Sequence, residues 1–166
     1  LVTGMGEYYK LNHDARKVFF HVVGWEDDRG TTSNGYLTVE QTAKKYNIGQ
    51  YVVNHGKLFG DKLDEVFNQC VFAIGSLGRH RSGITNIKTL KNREYAARGI
   101  PFIYSETDND FEDKPYIIKA PADESPVNIR QIIDFIDTHD VNPTEIRNTV
   151  EHLSWRFQME KVVREI

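Results

Sequence analysis

A disulfide framework is beyond this sequence, because Cys70 is its only cysteine and neither an internal bridge nor a multi-cysteine metal site can be built from one thiol. A lone thiol expected in the interior, at the start of a strand, suits a reducing compartment, so the chain is read as cytoplasmic. Long apolar runs are missing too. None approaches the ~18 residues that span a bilayer, and no signal peptide is visible. Membrane contact is therefore expected only through segments outside this sequence. Basic excess is absent, since 21 Lys and Arg stand against 24 acids for a net charge of −3, which argues against a polybasic nucleic-acid binder. The histidines at 13, 21, 55, 80, 139 and 152 show no H-x-x-x-H or H-E-x-x-H spacing, which speaks against a zinc hydrolase. No G-x-S-x-G elbow and no P-loop occur, and Gly24 is followed by Trp25 and acids, so hydrolase and ordinary dinucleotide chemistry lack support. Internal repeats and low-complexity segments are also lacking.

What remains is an ordinary globular composition, 39% hydrophobic and 27% charged. A chain of 166 residues is long enough for one domain with a full core and too short for two large ones, so residues 1–166 are read as a single domain. Leu1, Met5 and Tyr8 or Tyr9 fall on a helical spacing with no strand before them. This opening is read as the middle of a longer protein.

Strand and helix signals then alternate. Lys17 to Val23 is an apolar run ending at Gly24, expected to be a buried parallel strand. Trp25 to Gly35 reads as a loop, and Thr38 with Gln41 forms a capping box before a helical stripe of Val39, Ala43 and Tyr46. Tyr51 to Asn54 is the next strand. Asp61, Asp64 and Glu65 sit in the first turn of a helix that faces Leu63, Val66 and Phe67 inward. Cys70 to Ile74, Phe102 to Tyr104 and Tyr116 to Lys119 are further strands. Ser125 and Pro126 read as an N-cap and N1 pair before Ile129, Ile132, Ile133 and Ile136. Asn142 and Pro143 start another helix in the same way, and Trp155, Met159, Val162 and Ile166 carry helical spacing to the end, read as core or domain-interface packing. The alternation predicts an α/β fold with a doubly wound parallel sheet and helices on both faces. Ligands of such sheets sit beyond the carboxyl ends of the strands, where the loops after Val23, Asn54, Ile74 and Tyr104 gather.

Leu90 to Pro101, LKNREYAARGIP, is the most informative stretch. Ile87, Leu90 and Ala97 share a helical face, Gly99 suits a left-handed C-terminal position, and Pro101 ends the helix. Glu94 falls between that apolar stripe and the basic edge of Lys91 and Arg98. Arg98, four residues on, offers an ion pair as its plain explanation.

Glu94 to Pro101 also resembles the E-A-M-A-x-G-x-P signature of the family-4-like retaining glycosyltransferases. The segments VVG at 22–24, VVNHG at 52–56, the Leu63 helix, FAIGS at 72–76 and Leu153-Ser154-Trp155 follow in that family's order. The resemblance implies the Rossmann-like C-terminal, donor-binding half of a two-domain GT-B enzyme. On it, the first strand and its diphosphate-clamping Arg and Lys lie outside this sequence, as does the N-terminal domain that holds a glycan, lipid or small-molecule acceptor. It implies hexosyl transfer from a nucleoside-diphosphate sugar, as in polysaccharide biosynthesis, with no cofactor and no obligatory metal. Glu94 then takes hydrogen bonds from the donor ribose, and Gly56, Lys57 and Leu58 hold the base. A fragment of this kind is expected to be inactive by itself.

Two departures stand out. The family's sugar-contacting carboxylate, eight residues before Glu94, is replaced by Asn86, which still hydrogen-bonds a hydroxyl but carries no charge. Its Gly-rich run is replaced by Gly78-Arg79-His80-Arg81-Ser82-Gly83, whose Arg-His-Arg group, with Lys91 nearby, suits a diphosphate. Asp108-Asn109-Asp110 resembles the D-x-D metal motif of the GT-A fold, but it lies in the acidic run Glu106 to Asp113 and is expected to be solvated. A non-catalytic binding or scaffold module of the same fold, favoured by Asn86, and an unrelated doubly wound signalling domain stay open.

Overall fold

The computed structural model describes residues 1–11, 16–24 and 37–164, and the expected loop at Trp25 to Gly35 lies outside them. It is α/β, with short parallel sheets flanked by helices, and divides into two compact units. The first comprises Leu1–Gln69 and Pro126–Asp134, the second Cys70–Ser125 and Phe135–Ile166.

In the first unit, α1 (Val2–Leu11) buries Met5 and Tyr8, as its spacing requires. β1 (Phe20–Val22) pairs in parallel with β2 (Val52–Asn54), Phe20 beside Val52 and Val22 beside Asn54. Both strands are shorter than the apolar runs that encode them, and β1 is half-buried where a buried strand was expected. Tyr51 belongs to a 3-10 turn instead of the strand. α2 (Val39–Lys45) opens on the complete capping box: Gln41 N–H donates to Thr38 Oγ1, and Thr38 N–H donates to Gln41 Oε1, both at 3.1 Å. α3 (Asp61–Phe67) follows β2 with two acids in its first turn.

The second unit is built on three parallel strands, β3 (Ala73–Ile74), β4 (Phe102–Tyr104) and β5 (Ile117–Lys119), with β4 in the centre. The five strands among the described residues thus pair in two groups where the sequence pattern led to one sheet. Central position explains why all three residues of β4 are buried. Phe102 packs with Tyr104, Phe111 and Tyr116. Ala96, Ile146 and Val150 complete this core from α4 (Leu90–Arg98) and α6 (Pro143–Val150). β3 begins at Ala73, so Cys70 lies ahead of it, half-buried and unbridged, with burial raising its thiol pKa.

α5 (Ile129–Thr138) passes from the first unit to the second. Its side-chain cap is Asn128, whose Oδ1 accepts from Gln131 N–H at 3.1 Å; Ser125 and Pro126 stay ahead of the helix. Asn142 caps α6 as expected, accepting from Thr144 N–H at 2.9 Å. α7 (Trp155–Arg164) is the expected helix, yet Trp155, Met159 and Val162 of its packing stripe are exposed, and Ile166 lies outside the described residues. Among the described residues, no helix is long and apolar enough to cross a membrane.

Candidate functional site

The second unit gathers charge at the carboxyl ends of its strands, and α4 organises part of it. Asn92, fully buried, donates from Nδ2 to Asp108 Oδ2 at 3.1 Å. Arg93 grips Asp108 with both terminal nitrogens, at 3.0 and 3.1 Å, donates to Thr89 O, and is also paired with Asp110. Burial pulls the Arg93 pKa down, but the bonds to Asp108 and Asp110 outweigh it and leave the guanidinium more basic than usual. Asp108 has no exposed surface, so the triplet at 108–110 is not the solvated loop its composition indicated. A buried carboxylate requires partners, and Asn92 and Arg93 supply them.

The same anchoring decides which way α4 faces. With Asn92 and Ala96 turned inward, Leu90 is 84% exposed, and Lys91, Glu94 and Ala97 are exposed as well. Of the expected apolar face, only Ile87 is buried. Glu94 accepts two hydrogen bonds from Arg98, at 3.1 and 3.2 Å, the ion pair that its spacing allowed.

The Arg-His-Arg group forms a 3-10 turn, Arg79–Ser82, closed by Gly83 N–H donating to His80 O at 2.9 Å. Gly78 and Gly83 flank it in left-handed backbone, at φ +82° and +69°, conformations that glycine adopts without strain. Underneath lies Glu106, at the end of β4 and only 2% exposed. Its carboxylate accepts from the His80 N–H at 3.0 Å and from the Ser105 hydroxyl at 2.7 Å. Burial raises the Glu106 pKa, but the Ser105 hydroxyl and the backbone N–H groups of Glu106, His80 and Arg79 overcome that and hold it below its ordinary value. From the loop after β5, Glu124 reaches the upper side of the turn. It accepts from Arg81 Nε at 2.7 Å, pairs with the second Arg81 nitrogen, and lies 3.0 Å from His80 Nε2. These bonds from Arg81 and His80 hold its carboxyl at about 2.

Lys119, at the end of β5, donates to the Glu106 carbonyl at 2.8 Å and to Glu112 at 2.6 Å, with its ammonium over the Tyr104 ring. Tyr104 donates to the same Glu112 at 3.0 Å. The turn, Glu106 and Lys119 therefore form one polar cluster above β3, β4 and β5, which Glu124 joins from the exposed loop after β5.

Of the residues singled out from sequence, Arg79, His80 and Arg81 stand together in the turn, while Lys91 and Glu94 share the outer face of α4. Asn86 is exposed, in an isolated parallel bridge with Thr107, and donates to Thr85 Oγ1 at 3.2 Å. Gly56, Lys57 and Leu58 follow β2 in the first unit, with Gly56 in left-handed backbone and its N–H on Asn54 Oδ1 at 3.0 Å. Sequence reasoning missed Glu106 and Glu124. An acid two residues beyond the wholly buried strand β4 was the available signal for Glu106; Glu124 carried none. Among the described residues, no three His, Cys, Asp or Glu side chains are grouped to hold a metal ion. No protein-family model, no curated protein and no solved structure matches the chain.

Proposed function

We propose that this chain is the nucleotide-sugar-binding part of a Rossmann-like GT-B glycosyltransferase, carrying a sugar from a nucleoside-diphosphate donor to a glycan, lipid or small-molecule acceptor with retention of configuration. The observation that carries the reading is the inverted polarity of α4, which buries Asn92 and turns Leu90, Lys91 and Glu94 outward. Leu90, Lys91 and Glu94 thereby share an exposed face on which a ligand can reach the carboxylate.

On this reading Glu94 accepts hydrogen bonds from the ribose diol, for which a carboxylate has the capacity. Its present partner is no obstacle, because an exposed i,i+4 ion pair is worth only about 0.3–0.5 kcal/mol. Lys91 and the cations of the Arg79–Ser82 turn offset the charge of the leaving diphosphate. Asn86 bonds a sugar hydroxyl, and a further domain holds the acceptor. The uncharged Asn86 favours a second reading, a non-catalytic nucleotide-binding module on the same fold.

Titrating the isotope-labelled, assigned chain with uridine, guanosine and adenosine diphosphates tests the site by NMR. One nucleotide should give saturable shifts at Arg79 to Lys91 and Glu94. Glu94→Ala should weaken that binding about 10- to 100-fold, the effect of losing charged hydrogen bonds of about 1.5–3 kcal/mol each, without altering the melting temperature. Equal affinity in Glu94→Ala, or shifts confined to other surfaces, would sink the proposal. Sugar transfer by the enzyme with its acceptor domain separates the two readings.

A further inference from the structure

The contact between Glu124 and the Arg79–Ser82 turn is lopsided. Its cationic side is built in: Glu106 fixes the turn from below by accepting the His80 N–H, the Ser105 hydroxyl steadies that carboxylate, and two further backbone bonds, Gly83 to His80 O and Ile84 to Arg79 O, close the turn. Its anionic side is on a tether. Residues 121–126 are all exposed, and Glu124 itself has 54% of its side chain in solvent. Beyond Glu124, the stretch is held by local bonds, from the Ser125 N–H and hydroxyl to Asp123 Oδ1.

The chemistry of the contact is that of phosphate recognition. Arg81 presents Nε and a terminal nitrogen side by side to the two oxygens of Glu124, and His80 Nε2 meets one of them at 3.0 Å. A guanidinium fork matches a phosphate as well as a carboxylate, and a phosphate carries more charge and more acceptor oxygens. Arg79, exposed in the same turn, adds a second guanidinium.

We propose that Glu124 is a built-in competitor: its carboxylate occupies the place at His80 and Arg81 that a phosphate group takes, so ligand binding swings the 121–126 loop away. The site takes a phosphate or diphosphate group, and only the identification of that group with a sugar donor rests on the transferase reading. The loop is thereby a latch that keeps the turn covered until a stronger anion arrives.

Inorganic pyrophosphate is the probe, titrated into the full chain and followed by the backbone amides of Arg79 to Gly83, the Arg81 Nε–H signal and the amides of Glu124 and Ser125. In the wild type, pyrophosphate should shift both the turn and the loop, because one anion replaces the other. Glu124→Gln should bind it about fivefold more tightly, the upper range for removing an exposed charged competitor. Glu65→Gln, an equal change in net charge on α3, should leave the affinity unchanged, and Arg81→Ala should weaken it. Unchanged affinity in Glu124→Gln, equal tightening in Glu65→Gln, or no response at the turn in any variant overturns the proposal. Nucleoside diphosphates form the second arm. If Glu124→Gln tightens pyrophosphate but no nucleotide binds better than pyrophosphate, the latch stands and the transferase reading fails. Nucleotide binding that depends on Glu94 and is indifferent to Glu124 refutes the latch and leaves the transferase reading in place.

Discussion

At the scale of single residues, Asp108 is a charge that the second unit has taken wholly out of water. It is fully buried and held by Asn92 and by both terminal nitrogens of Arg93, so its removal leaves a guanidinium and an amide facing a void. Deleting one member of a buried pair costs far more than the pair contributes, because the survivor keeps its desolvation penalty. Asp108→Ala should therefore lose about 3 kcal/mol in urea denaturation, the low end for buried pairs since Arg93 retains some exposure. Asn109→Ala, next to it and exposed, should stay within about 0.5 kcal/mol. Nothing local in the sequence announces this difference. Asp108 looks like one acid in an acidic loop because its partner lies 15 residues upstream on a helix, and that separation has no periodic signature. His80 and Arg81 are legible as polar side chains after a strand. Their partners Glu106 and Glu124, 26 and 43 residues beyond them respectively, are not.

At the scale of elements, signals that act within one turn of chain are legible and signals that need a neighbour are not. The Thr38–Gln41 capping box and the Asn142–Pro143 start can be read directly because caps are satisfied by residues two or three positions away. The face of α4 departs from its apolar stripe because the bonds available to Asn92 and Arg93 outweigh that stripe. Two measurements follow. Leu90→Ala should change stability by less than about 0.5 kcal/mol, as for an exposed position, whereas Ala96→Leu should cost about 1–3 kcal/mol through overpacking of a site with no exposed surface. A stability loss above about 1 kcal/mol for Leu90→Ala would put that residue in the core and remove the case for an outward-facing site. The end of α4 is equally specific. Gly99 sits at φ +77°, and an added Cβ would lie 2.6 Å from Pro143 O and 2.9 Å from Pro143 Cα, both backbone atoms of α6. Gly99→Ala combines left-handed strain of about 1–2 kcal/mol with displacement of α6, so its thermal midpoint should fall by more than that of any exposed alanine substitution on α4. The left-handed need is visible from Gly99 before Pro101; the approach of Pro143 is not, since no local rule brings residue 143 to residue 99.

For the molecule as a whole, the α/β class is legible because apolar runs and helical stripes alternate along the chain, and each is a local property. The pairing of strands into β1-β2 and β3-β4-β5 is not, because pairing is a choice among distant partners that short apolar runs leave undetermined. Stability against pH is likewise a property of the whole, and its sign follows from groups in the second unit. Glu106 and Glu112 are both held below the ordinary 4.5: burial raises each, and hydrogen bonds, led by Ser105 for Glu106 and Lys119 for Glu112, more than reverse it. A carboxylate depressed in the folded state stabilises fully above its unfolded pKa and loses that contribution as pH falls through its folded value. Stability should therefore decline as pH drops below about 4.5. Tyrosines set the other edge. Burial, ahead of the charge of Glu94, pushes Tyr95 up to about 12, and burial, ahead of Glu112, pushes Tyr104 upward as well. For a phenol raised in the folded state the stabilisation is complete below its unfolded pKa of 10.0 and is lost as pH climbs towards the folded value. Urea denaturation across a pH series should thus trace a plateau between about 4.5 and 10, falling on both sides. Glu106→Gln should lower the plateau and flatten its acid edge, because the amide cannot accept from Ser105 and the turn together and has no proton to gain. Tyr95→Phe removes the phenol that donates to the Ile74 carbonyl and should reduce the alkaline slope while leaving the acid edge unchanged. An acid edge that keeps its slope in Glu106→Gln would mean that the carboxylate beneath the turn is not held as its geometry requires, and the fixed cationic turn would lose its pedestal.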